Sequence, residues 1–179
     1  MVALNFDDTF ELIDVTPDFS EVTFYSPQKD GTDVSILLKI KPHTDDSLPN
    51  VYNLGFGPPD GNGGIDDLVN LKHTNSNKVF STILLHALTF LKRNRGLTIG
   101  IDGSDDYRVI LYHTMFKSNR EYLSSMFKAF GVDWYVRIFR NGNYEADSDG
   151  QYIAKPKPES FDYRRNKRDL YRYYMFNLV

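Results

Sequence analysis

A chain of 179 residues, 41% hydrophobic and 15% aromatic, is long enough to build one packed domain. It has no cysteine, which excludes a disulfide framework and thiolate chemistry, and no apolar run near the roughly 20 residues that cross a bilayer. The net charge of −3 is unevenly placed: from Lys155 to Val179 seven Lys/Arg face three acidic residues, a net +4 that leaves −7 on the other 154 residues. The start, Met-Val-Ala-Leu-Asn-Phe-Asp-Asp, lacks the basic-then-apolar order of a signal peptide, so a soluble cytoplasmic protein is expected.

In chain order, Phe10 to Val15 and Glu21 to Tyr25 read as short strands, and Ser26 to Gly31 as a turn-rich connector. Val34, Ile36, Leu38 and Ile40 alternate along a third strand, and Val51 to Gly57 is a fourth that ends in glycines. Turn spacings among the four predict an antiparallel meander. Pro58 to Gly64 is a surface loop, and Ile65 to Asn70 a helical turn.

The stretch from Asn75 to Gly131 carries the clearest signals. Thr74, Asn75, Ser76 and Asn77 offer capping oxygens to a helix whose stripe is Val79, Phe80, Ile83, Leu84, Ala87, Leu88 and Leu91. Arg93 and Arg95 suit its C-terminal end, and Gly96 a left-handed cap. Leu97 to Ile101 is too short for a helix and fits a central strand. After the Asp102-Gly103-Ser104-Asp105 turn, Ser104 is placed as the cap of a second helical segment, which breaks near Lys117 to Asn119 and resumes through Phe130. Val132 to Phe139, Asn141-Gly142 and Tyr152 to Ala154 make a hairpin, which Pro156 and Pro158 should stop.

The expected fold is α+β: a mainly antiparallel sheet, N-terminal meander plus C-terminal hairpin, packed on two helical segments. Residues 1–155 are read as the domain and 156–179 as a basic, aromatic extension, with a helix over Asn166 to Phe176.

Tyr52-Asn53-Leu54-Gly55-Phe56-Gly57, the Asn75/Asn77-Lys78-Val79 helix start, Gly103-Ser104 followed by Arg108 and Leu111-Tyr112, and then Asn143-Tyr144 form an ordered set. In that order they resemble an uncharacterised bacterial domain family of unknown function, over roughly Glu21 to Lys155. The resemblance implies a small cytoplasmic α+β domain and brings no activity, cofactor or catalytic residue with it. Pro58-Pro59, where the family usually has an acidic residue, and the long basic tail depart from the pattern.

Gly103, Ser104 and Arg108 are candidate ligand residues, because amides at a helix start with an arginine one turn on suit an anion such as a nucleotide phosphate. Asp105 and Asp106 at the same end oppose it, and a plain capped turn is the stronger reading. His43, His73, His86 and His113 have no metal-ligand spacing, and the aspartate pairs lie in turns or at helix starts. No catalytic residue, metal ligand or cofactor is assigned.

Arg164, Arg165, Arg168, Leu170, Arg172, Tyr173, Tyr174 and Phe176 are the candidate interface. Arginine and tyrosine suit protein contacts, and they also suit nucleic-acid backbones with stacked bases. The expected function is a non-enzymatic binding or assembly module that meets a protein partner, or a second copy of itself, through the extension. A nucleotide or phosphate site at the Gly103 turn and nucleic-acid binding by the tail are the alternatives.

Overall fold

The computed structural model describes residues 1–179 except Asp67, Leu68, Asn70 and Ser104. The fold is α+β, with one eight-stranded, mostly antiparallel sheet. Its elements are β1 (Leu12–Val15), β2 (Glu21–Pro27), β3 (Asp33–Pro42), β4 (Val51–Gly57), α1 (Ser76–Arg93), β5 (Thr98–Asp102), α2 (Asp106–Ser118), α3 (Arg120–Ser124), β6 (Phe127–Val136), β7 (Ala154–Ser160) and β8 (Tyr173–Leu178). The spatial order is β1-β2-β3-β4-β5-β8-β6-β7.

The first four strands form the antiparallel meander that their turns predict. Alternation sets its inner face: Val22, Phe24, Ile36, Leu38, Ile40 and Leu54 point the same way and are buried. From β4 the chain crosses through α1 to β5, which lies parallel to β4. Such a crossover needs a helix, and α1 supplies it.

All seven residues of the α1 stripe are buried, and so are Ser81, Thr82, His86 and Phe90. The buried face is wider than periodicity predicts because the N-terminal segment crosses the helix flank. The amides of Ala3, Asn5 and Phe10 donate to Asn77 Oδ1, Ser81 Oγ and Thr82 Oγ1. One turn after Thr82, His86 Nε2 is 2.9 Å from the Phe19 carbonyl. Asn75 caps the start of α1, its side chain accepting from the Lys78 amide.

Beyond β5 the sequence reading fails in four places. Asp105, the residue after the expected cap, caps α2 by accepting from the Arg108 amide. The helix expected to continue through Phe130 stops at Ser124, and β6 takes over from Phe127, because these rings find strand partners in β8 and not a helical groove. Pro156 and Pro158 do not stop the returning strand. They lie inside β7, an edge strand, where a missing N–H is tolerated. The helix expected over Asn166 to Phe176 does not form, and Tyr173–Leu178 is β8. The helical turn expected over Ile65 to Asn70 includes Asp67, Leu68 and Asn70, which lie outside the described residues; Ile65 itself bridges Pro59.

The last strand therefore lies inside the sheet, antiparallel to β5 on one side and β6 on the other. Tyr174 and Phe176 face the helices, against Tyr112, Phe116 and Phe127. Tyr173 and Met175 face the opposite side and pack with Leu48, Val51 and Val132. Both faces of β8 are covered.

Candidate interaction surface

The Gly103 turn follows β5 and leads into α2. The Gly103 amide donates to the Arg172 carbonyl at 2.8 Å, just before β8, and a side chain at 103 would meet Val109 and that same carbonyl. Arg108 lies 3.4 Å from its own cap, Asp105, and Asp106 pairs with Arg172 at 2.8 Å. The Gly103 amide and, in the first turn of α2, the Arg108 amide are engaged within the chain, and two carboxylates share the helix's positive end. Beside the turn, burial raises the Asp102 carboxyl above its usual range, partly opposed by the nearby charges of Arg108 and His43. Ser104 lies outside the described residues. Two surface clefts of about 490 and 330 Å³ are lined by neither Gly103 nor Arg108.

The tail residues separate into two groups. Tyr173, Tyr174 and Phe176, expected to anchor a partner, are buried in the chain's own core, Tyr174 and Phe176 with no exposed surface at all. The Tyr174 hydroxyl donates to the Val109 carbonyl at 3.0 Å and the Tyr173 hydroxyl to Asn53 Oδ1, so each buried phenol has a partner. Burial raises both phenols well above their usual range. Leu170 is half-buried.

Arg165 fastens the segment before β8. Its guanidinium reaches Asp133 at 2.8 Å, Glu159 at 3.4 Å and Asp169 at 3.4 Å, and lies 3.9 Å from the centre of the Tyr171 ring. Tyr171 is fully buried and donates to Glu159 at 2.6 Å. Arg164 and Arg168 are exposed, and so is Arg172 despite its pairing with Asp106.

The exposed aromatic surface lies elsewhere. Past Val136 the β6–β7 hairpin extends as an arm of two successive tight hairpins. Glu145 N donates to Arg137 O and Ile153 N to Glu145 O, with Gly142 and Gly150 at positive φ in the two turns. Isolated bridges join Ile138 to Tyr144 and Ala146 to Tyr152. Along the arm and its root Trp134, Tyr135, Ile138, Phe139, Tyr144 and Tyr152 stay exposed, Ile138 at 59% and Tyr152 at 67%. Arg137 lies over the Phe139 ring, and Lys155 pairs with Glu145 at 2.8 Å.

Sequence reasoning saw the first arm turn, Asn141-Gly142, and passed over these side chains. The signal was present: a second turn, Asp147-Ser148-Asp149-Gly150, brackets aromatics that have no helix nearby to cover them.

The model of a family of unknown function, DUF6934, matches residues 8–148. The chain belongs to DUF6934. No curated protein and no solved structure matches it. The DUF6934 match contains the meander, α1, β5, α2, α3, β6 and most of the arm, and it ends before β7 and β8. In this DUF6934 chain β8, an interior strand of the sheet, is therefore supplied from outside the matched region. Among the described residues no group of three or more His, Asp or Glu is placed to hold a metal ion, and no helix is long and apolar enough to cross a membrane.

Proposed function

We propose that this chain is a non-enzymatic protein-binding module and that its contact surface is the projecting arm from Trp134 to Tyr152. The observation that carries this reading is the exposure of six large apolar side chains on the arm and its root, with Arg137 and Arg140 among them. Aromatic residues and arginine are the types that dominate binding energy at protein interfaces. The prolines of β7 support contact through side chains. Pro156 and Pro158 are two residues apart, remove donors from the same side of an edge strand and discourage addition of a further strand.

The test compares the full-length wild type with a double variant, Ile138→Asp and Phe139→Asp, in two measurements. One is solution mass by light scattering over a range of concentrations, and the other is capture of proteins on the immobilised chain. The wild type should associate, with itself or with a captured protein, and the variant should lose that association with its circular dichroism unchanged. A wild type that does neither, or a variant that keeps every association, defeats the reading.

A further inference from the structure

The two edges of the sheet carry opposite charge. The first 28 residues, which include β1 and β2, hold six acidic residues and no lysine or arginine. Of these Asp8 pairs with Lys78 and Glu21 with Lys39, while Asp7, Glu11, Asp14 and Asp18 are exposed and make no ion pair among the described residues. At the other end of the strand order lies β7, followed by the loop to β8, which Arg165 fastens to β6 and β7. Lys157, Arg164, Lys167 and Arg168 there are exposed, and none makes an ion pair among the described residues.

Each edge also carries apolar surface. All four residues of β1 are exposed, among them Leu12, Ile13 and Val15, and the other end has the aromatics at the root of the arm. Neither edge is suited to extending the ladder, because β1 bulges at Ile13 and β7 carries its two prolines. Contact between the edges would run through side chains.

We infer that a second copy of this chain is the partner, and that copies meet head to tail, the acidic apolar edge at β1 of one against the basic aromatic end at β7 and the arm root of the next. The inference rests on the protein-binding reading above and names its partner. Opposite charge steers the encounter and fixes its polarity, and the apolar groups inside the charged rims supply the area removed from water. Two β1 edges facing each other would bring acidic residues together, which disfavours a symmetric contact at that edge. Because the two surfaces differ, the contact is heterologous and generates rings or filaments.

The test uses the full chain and two double charge reversals, Glu11→Lys with Asp14→Lys and Arg164→Glu with Arg168→Glu. Mass in solution is measured by light scattering at about 100 μM protein in roughly 20 mM and roughly 500 mM salt, on either side of the screening that weakens exposed charge pairs. The wild type should exceed the mass of one chain in low salt and fall toward it in high salt. Each reversal alone should stay at one chain, and an equimolar mixture of the two should regain association, since each then meets an edge of opposite sign. A wild type that is a single chain in low salt, a reversal that associates like wild type, or a mixture that does not regain association overturns the head-to-tail contact. If the Ile138→Asp, Phe139→Asp variant still abolishes association while the reversals have no effect, the arm's protein-binding reading stands and the head-to-tail contact falls.

Discussion

The arm from Trp134 to Tyr152 and the last strand, Tyr173–Leu178, draw on the same residue types, tyrosine and phenylalanine with arginine close by, and end in opposite surroundings. The strand has β5 and β6 on its two sides, α2 above one face and the Leu48–Val51 corner against the other. Past Val136 the arm bridges only to itself among the described residues, and its large apolar side chains stay exposed. An aromatic side chain removes about 150–250 Å² from water when buried, worth roughly 4–6 kcal/mol at 25 cal/mol per Å². In β8 that energy goes into the fold; in the arm it is left for association.

The sharpest way to break this comparison is to remove the strand. Deleting residues 171–179 should leave β5 and β6 without their shared neighbour and abolish cooperative thermal unfolding. The Tyr174→Ala variant should lose about 3–5 kcal/mol in denaturant titrations, in line with large-to-small changes at buried aromatic sites. A truncated chain that still melts cooperatively would mean that the segment is an appendage after all.

A smaller effect sharpens the account of why the strand fits. Gly131 on β6 lies under the Tyr171 ring, where an added Cβ would collide with three ring carbons, and Gly100 on β5 lies in the same way under Tyr173. Since Tyr171 is fully buried and bonded to Glu159, it has little room to shift. Gly131→Ala should therefore cost about 1–3 kcal/mol, the range for overpacking a filled core. A neutral result in equilibrium unfolding would show that the ring moves aside freely.

The smallest expected effect lies in the arm. Replacing Ile138 and Phe139 by aspartate should change stability by less than about 0.5 kcal/mol, as for surface positions outside a packed core. If the midpoint in denaturant falls as far as it does for Tyr174→Ala, the arm is part of the fold and its exposed rings are not held for a partner.

Local patterns determined much of this protein from sequence alone. The α1 stripe and its Asn75 cap, the alternation along β2 and β3, the bounds of β4 and the Asn141-Gly142 turn all depend on neighbours within a few residues, and those are written in order along the chain. The α+β class followed from the same patterns. What the tail does depended on partners 32 or more residues away. Tyr171 and Tyr173 stand over Gly131 and Gly100, Tyr174 donates to Val109, and Arg165 reaches back to Asp133. Read in isolation, a basic segment with six aromatic rings looks like a surface, because charge and ring count carry no record of which strands will flank it. Only the tertiary structure could place β8 between β5 and β6, where two glycines leave space for the rings and both faces are covered, and so move the exposed aromatic surface from the tail to the arm.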